Sequence, residues 1–178
     1  MGLTSMEKSL IDKKVNALLR QYGYKPRRER TIDDIVVFVK RFGFIVLNAD
    51  LDESEDGFLL ARPGEAPVIG VNSRRSLDRC RFIVAHEFAH YNLHYDGDVE
   101  HNKHYWHREN KKGKTEEEQD ADYFAAALLM PEKRVKRDCI RLKRNKLDQM
   151  TASLILSDEY QVPLESAYRR ITEVGVVF

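Results

Sequence analysis

The stretch that decides the fold is "FIVAHEFAHYNLHY", residues 82–95. It is apolar enough for a buried helix, and a glutamate directly follows its first histidine. Positions four apart lie one above the other on a helix, so His86 and His90 can direct both imidazoles at one ion. Glu87 projects beside that pair and can reach a water held by the ion. These are the parts of the HExxH pattern, which are two zinc ligands and a general base.

The alternative interpretation is a structural helix that contains histidines without a metal. It requires two histidines and a glutamate to be buried within "RFIVAHEFAH" (81–90), which is hydrophobic on nearly all faces. Burial of an unpaired charge is costly, and a metal ion bound by the histidines removes that cost. The sequence therefore favours a metal site.

A catalytic zinc needs a third protein ligand and an open position for water. His94 lies in the same helix, which cannot wrap residues spaced i, i+4, i+8 around one ion, so it is expected to cap the helix end or support a ligand. His101, His104 and His107 follow further on. None of them has the glycine-containing spacing of sites that use a distant histidine.

The better candidate is Glu118, in the predicted helix "TEEEQDADYFAAALLM" (115–130). Asp122 lies one turn beyond it and can accept a hydrogen bond from a ligand histidine, which fixes the tautomer of that imidazole. Alanines on the same face would let this helix approach the HExxH helix closely. Glutamate and aspartate would then serve the same site from one helix face.

The acids of this helix also have simpler explanations. Thr115 and Glu118 have the spacing of a capping box, which needs no metal. Acidic side chains also suit the positive end of any helix. Glu117 and Asp120 are alternatives to Glu118 as the third ligand.

Composition favours one domain with a substantial core, because 42% of the 178 residues are hydrophobic. Residues 6–22 and 32–42 are predicted helices, the second capped by Thr31 or Asp33. Short strands are predicted at 44–48, 57–62 and 67–72, a loop at 95–114, and further helices after residue 131. This order predicts an α+β fold, with a small mixed or antiparallel sheet packed on the HExxH helix. The predicted division is an N-terminal helix and basic connector, 1–30, and a main domain, 31–178, with a helical tail, 132–178.

Charge and cysteine content exclude other classes. A net charge of +1 does not indicate a strongly basic nucleic-acid-binding protein. No apolar run has the length of a membrane span, and "MGLTSMEKSL" lacks the apolar core of a secretory signal. Cys80 and Cys139 are far apart and are expected to be free thiols, which is typical of the cytoplasm.

Four stretches together resemble the ImmA/IrrE family of zinc peptidases. The two central ones contain the candidate site: "DRCRFIVAHEFAHYNLH" (78–94) and "EQDADYFAAALLMP" (118–131). The flanking ones are "IDDIVVFVKRFGFIVL" (32–47) and "SDEYQVPLESAYRRITEVGVV" (157–177). The likeness spans roughly residues 31–177, and only the stretch between Tyr95 and Lys114 lacks a family pattern.

The resemblance implies a zincin-like fold and a gluzincin-like zinc metalloendopeptidase. By position, His86, His90 and Glu118 would bind Zn2+ and Glu87 would be the catalytic base. Asp122 would support a ligand, where many members have asparagine. Family members are cytoplasmic bacterial or phage peptidases, often paired with a helix-turn-helix repressor that they cleave or inactivate. The expected partner is therefore a protein substrate such as a repressor, without direct nucleic-acid or membrane contact. We expect "PVIGVN" (67–72) to offer its edge to that substrate.

The alternative function is a DNA-binding or transcription-regulating module in which the zinc site is structural or inactive. The run "EKRVKRDCIRLKRNK" (132–146) has eight basic residues against two acidic ones, and "TASLILSDEYQVPLESAYRRI" (151–171) resembles a helix-turn-helix. A solvated helix face and ordinary packing explain both features more simply. A third possibility is an inactive protein-binding scaffold, against which the intact HEFAH argues.

Overall fold

The computed structural model describes residues 3–24, 34–95, 97, 105–108 (backbone only) and 115–178. Within these ranges the chain forms seven helices and one four-stranded sheet. The helices are α1 (Ser5–Tyr22), α2 (Ile35–Lys40), α3 (Leu77–His94), α4 (Glu116–Leu129), α5 (Glu132–Arg144), α6 (Gln149–Tyr160) and α7 (Leu164–Glu173). The strands are β1 (Ile45–Ala49), β2 (Glu55–Leu60), β3 (Val68–Asn72) and β4 (Tyr105–Arg108). The predicted α+β fold is confirmed.

The sheet is mixed, with the strand order β1-β3-β2-β4. β1 runs parallel to β3, and β2 runs antiparallel to both β3 and β4. The expectation that "PVIGVN" offers a free edge is wrong, because β3 lies between β1 and β2. Its nearly continuous burial on both faces is typical of a central strand. Among the described strands, the edges of the sheet are β1 and β4.

Two other expectations need correction. The segment 95–114 was expected to be a loop, but it contains β4, in which Trp106 pairs with Phe58 of β2. The charged residues of the segment 95–114 obscure the alternating pattern that indicates a strand. β4 is a strand because it forms hydrogen bonds with β2. The cap of α2 is Asp34, whose carboxylate accepts from the N–H groups of Val36 and Val37. Thr31 and Asp33, the expected caps, lie outside the described residues.

α3 lies against the inner face of β2 and β3. A Cβ atom at Gly57 would lie 2.5 Å from Ile83 Cγ2 and 2.7 Å from the Gly70 carbonyl oxygen, so only glycine permits this close approach. The Asp56 carboxylate of β2, which is 1% exposed, pairs with Arg75 at 2.5 Å and with Arg79. These contacts fix the start of α3 on the sheet.

The face of α3 opposite the histidines is anchored by Phe88. Its ring, 1% exposed, lies 5.0 Å from that of Phe44 and 5.8 Å from that of Phe38, measured between centroids. Phe42 at 5.6 Å and Phe124 at 6.1 Å complete the cluster. Edge-to-face and tilted aromatic contacts of this kind add to the free energy gained from burial. Phe88 therefore fixes the position and the rotation of α3 relative to the neighbouring helices and to the segment that precedes β1.

α1 packs on α4 through Ile11, Val15 and Leu19, which are buried. The Tyr123 hydroxyl of α4 donates a hydrogen bond to Asp12 at 3.0 Å. The predicted division near residue 30 falls within residues that are not described and stays a prediction. None of the helices in the described ranges has both the length and the hydrophobicity needed to cross a bilayer.

We predict that Phe88→Ala lowers the free energy of unfolding by about 3–5 kcal/mol, because it leaves a cavity in the aromatic cluster. Leu77→Ala in the same helix should change it by less than about 0.5 kcal/mol, since Leu77 is 75% exposed. Denaturant titration of both variants measures the difference. Equal stability of the two variants would contradict the anchoring role of Phe88.

Candidate metal centre

α3 and α4 form an extensive helix contact, and each of the two helices has fully buried alanines. Ala85 and Ala89 of α3 and Ala121 and Ala125 of α4 are all 0% exposed. Alanine side chains are small, so these positions allow the two helices to approach closely. Polar side chains at the end of this contact are therefore brought within a few ångströms of one another.

Three potential metal donors converge there. His86 Nε2 lies 3.0 Å from His90 Nε2 and 3.3 Å from Glu118 Oε2. His90 Nε2 lies 3.3 Å from Glu118 Oε1. The potential ligand atoms of these three side chains all lie within 4.8 Å of one another. Among the described histidine, cysteine, aspartate and glutamate residues, these three form the cluster that could hold a metal ion. Sequence reasoning predicted the same three residues.

The donor set fits a metal ion. Ligands at about 2.0–2.1 Å in tetrahedral geometry lie about 3.3 Å from one another, which is close to the three observed separations. Two nearly buried imidazoles and one carboxylate are a donor set that suits zinc and other borderline divalent ions. His86 and His90 are 2% and 1% exposed, whereas the Glu118 side chain is 27% exposed. The group is therefore reached from the Glu118 side.

Asp122 lies where the sequence predicts it, next to a ligand histidine. His86 Nδ1 lies 3.1 Å from Asp122 Oδ1. An ionised carboxylate can only accept, so Nδ1 donates, and in the neutral imidazole the lone pair is then on Nε2. That lone pair points to the side where His90 and Glu118 lie. In this orientation Nε2 is the His86 atom that could bind a metal ion.

Glu87 lies on the same helix and is 0% exposed. Neither carboxylate oxygen has a hydrogen-bond partner within the described part of the chain. The side chain borders a small void together with Arg79, Phe82, Ile83 and His86. Burial raises the pKa of Glu87 to about 8, while the charge on His86 acts in the opposite direction. A carboxyl with such a pKa can both accept and return a proton near neutral pH.

The pKa values of the two histidines shift in opposite directions. Burial disfavours the charged form of His86, but hydrogen bonds to Asp122 and Glu118 outweigh burial and raise its pKa to about 9. For His90, burial dominates and lowers the pKa to about 4. The contacts with Asp122 and Glu118 therefore favour a protonated His86, and a metal ion bound at its Nε2 atom would displace the proton from that atom.

The remaining sequence candidates lie elsewhere or outside the described residues. The His94 Nε2 atom lies 3.2 Å from the Glu117 carbonyl oxygen, so His94 links the end of α3 to the start of α4. His101 and His104 are not described, and only the backbone of His107 is. Thr115 accepts a hydrogen bond from the Glu118 N–H at 3.3 Å, so Thr115 caps the helix as its spacing suggested. The Glu118 carboxylate nevertheless lies beside the histidines, so the cap and the metal-donor position occur together.

Sequence reasoning missed Arg169, which belongs to α7. Its Nη1 atom lies 3.3 Å from Asp122 Oδ2, the oxygen that does not face His86. Arg169 also borders a cleft together with Arg79, Phe82, Ala126 and Ser166. The only feature of the sequence that could have indicated a role for Arg169 is its position in a pair of adjacent arginines, in a helix that otherwise packs on the core. Nothing local indicates which side chain Arg169 contacts.

The fold, the HExxH helix and the converging donors define a metallopeptidase-type domain. Residues 27–172 match the Peptidase_M78 family model, described as the IrrE N-terminal-like domain. The chain therefore belongs to this peptidase family, and the resemblance noted in the sequence is confirmed. A search among curated proteins found no match. The family implies hydrolase activity on peptide bonds and a zincin-like fold, in agreement with the mixed α+β architecture.

We predict that Glu118→Ala weakens zinc binding more than about 100-fold, because it removes one of three donors. Glu116→Ala is the matched control, since Glu116 belongs to the same first turn but is exposed. Competition with a chromogenic chelator measures both affinities. Unchanged zinc affinity of Glu118→Ala would exclude Glu118 as a ligand, and an equal loss in both variants would indicate only the loss of negative charge.

Proposed function

We propose that the protein is a zinc-dependent endopeptidase that cleaves or inactivates a regulatory protein, such as a helix-turn-helix repressor. The observation that supports the chemistry is the position of Glu87, a buried carboxyl beside three converging metal donors. The family supports peptidase activity. The substrate class follows from the resemblance to ImmA/IrrE peptidases.

In this proposal His86, His90 and Glu118 hold zinc. A zinc ion there would supply Lewis acidity, both to the reacting water and to the peptide carbonyl. Glu87 takes the proton of the water and passes it to the leaving amine. Its burial beside the donor group suits both transfers, because a desolvated carboxyl binds a proton more readily than an exposed one.

An extended substrate needs a sheet edge for main-chain recognition. β3 cannot supply it, because both of its edges are paired. β1 and β4 are the edges among the described strands. The proposal therefore moves substrate recognition from the third strand to one of these two.

One part of the DNA-binding alternative, the helix-turn-helix likeness of α6 and α7, requires basic side chains of these helices to be free to reach a duplex. Arg170 of α7 is instead 1% exposed, and its Nε atom donates to the Met130 carbonyl oxygen at 3.1 Å. The neighbouring Arg169 pairs with Asp122. A recognition helix presents such side chains to base edges. The burial of Arg170 and the pairing of Arg169 with Asp122 favour a packing role for α7.

The test compares the wild-type chain with Glu87→Gln. The variant should keep the metal stoichiometry of the wild type and cleave about 100- to 10,000-fold more slowly, because only the proton transfer is lost. Substrates are identified by mapping new protein N-termini in cells that produce either form. Wild-type-dependent termini within a regulatory protein are the expected result, and the rate is then measured on that purified protein.

Glu116→Gln is the matched control and should cleave at the wild-type rate, since its side chain is exposed and lies outside the donor group. Cleavage by Glu87→Gln at the normal rate would overturn the role of Glu87. Termini that arise only in proteins without a regulatory function would overturn the proposed substrate class but not the peptidase activity.

A further inference from the structure

The C-terminal helix α7 reaches the candidate metal centre through a chain of three side chains. Arg169 Nη1 lies 3.3 Å from Asp122 Oδ2, and Asp122 Oδ1 lies 3.1 Å from His86 Nδ1. The two oxygens of one carboxylate therefore face different partners. Because the carboxylate is rigid and planar, a group that fixes one oxygen also fixes the direction of the other.

The position of Arg169 is set by the fold. Arg81 of α3, 7% exposed, donates from Nε to the Gln161 carbonyl oxygen at 3.2 Å, just before α7 begins. Arg170, the next residue along α7, is buried and bonds the Met130 carbonyl oxygen at the end of α4. Helix α7 is thus attached to α4, and the connection that precedes it is attached to α3. Arg169 is held between Asp122 and Glu165, whose Oε1 atom lies 3.0 Å from Arg169 Nη2.

The pair differs from an ordinary surface ion pair. Exposed pairs contribute little, because water solvates each partner well. Here the Arg169 side chain is 47% exposed, but that of Asp122 is only 8% exposed. Water competes weakly for the carboxylate, so the guanidinium has a larger effect on its orientation. Arg169 itself borders the open cleft, so substitutions there need not disturb the core.

We infer that Arg169 is a positioning residue of the metal centre, which acts through Asp122 to keep His86 Nε2 directed at the ion. The C-terminal tail is then part of the centre and not an appendage to it. This inference rests on the metal centre of the proposed function, but not on peptidase activity or on any substrate. Zinc affinity is therefore the quantity that tests the role of Arg169.

The direction in which zinc affinity changes when Arg169 is removed distinguishes a positioning role from simple charge repulsion. Arg169 is a cation near a cation site, so by Coulomb repulsion alone its removal should strengthen zinc binding. Positioning requires the opposite, because a carboxylate without its guanidinium partner orients His86 less well. Partners of a ligand histidine typically change metal affinity about 10- to 100-fold. Since Arg169 acts one contact further away and is half exposed, we expect a smaller weakening of about 3- to 10-fold.

The experiment is a double-mutant cycle on the full chain, with zinc affinity measured by competition with a chromogenic chelator. The variants are Arg169→Gln, Asp122→Ala and the two combined, with Arg169→Lys as the conservative variant. Arg137→Gln, which removes an exposed arginine of α5, controls for loss of one positive charge. Thermal melting of each metal-free variant shows whether it is folded.

The expected result is a 3- to 10-fold loss for Arg169→Gln, recovery to within about twofold in Arg169→Lys, and no further loss when Arg169→Gln is added to Asp122→Ala. Arg137→Gln should bind zinc as tightly as the wild type or slightly more tightly. Unchanged or stronger binding by Arg169→Gln would overturn the inference, as would an equal loss in the Asp122→Ala background. If the wild-type chain itself binds no zinc, the proposed function fails with it, whereas failure of Arg169→Gln alone leaves that function intact.

Discussion

The close contact of α3 with α4 is the constraint on which the rest of the structure depends. His86 and His90 come from one helix and Glu118 from the other, and their donor atoms lie 3.0–3.3 Å apart. Side chains this short can meet only if the two backbones approach closely, and the buried alanines between the helices allow that. Contacts on the other faces of α3 also fix its position. Gly57 and Asp56 hold α3 against the sheet, and Phe88 holds it against the aromatic cluster.

The centre could be predicted from the sequence because its information is mostly local. The spacing of His86 and His90 fixes both imidazoles on one face once the segment is a helix, and Glu87 follows from the same geometry. Glu118 required one further step, the assumption that an acidic and alanine-rich helix lies against the first. The structure brings these side chains together, and the family model agrees with the class of protein. The identity of the metal and the roles of the individual residues stay predictions.

The features that sequence reasoning missed depend on contacts between distant segments. β4 has little alternation of its own and becomes a strand by pairing with β2. The central position of β3 follows from strand order, which short apolar runs cannot specify. The Asp34 cap differs from the expected Thr31 or Asp33 because helix ends are set by local hydrogen bonds that propensity does not resolve. Arg169 belongs to the same group, since it contacts Asp122 from 47 residues away in the sequence.

The last two helices show how contacts in the fold change the interpretation of a sequence motif. In the sequence, the helix-turn-helix likeness of residues 151–171 suggests a surface for nucleic acid, to which the two adjacent arginines of α7 would contribute. In three dimensions they compensate polar groups of the peptidase-type domain: Arg170 satisfies a carbonyl oxygen at the end of α4, and Arg169 pairs with a nearly buried carboxylate. Asp122 is nearly buried beside the histidine and glutamate donors, and burial makes an unpaired carboxylate costly. The guanidinium of Arg169 lowers that cost, so the charge it pairs with explains an arginine at this position of α7 without nucleic acid.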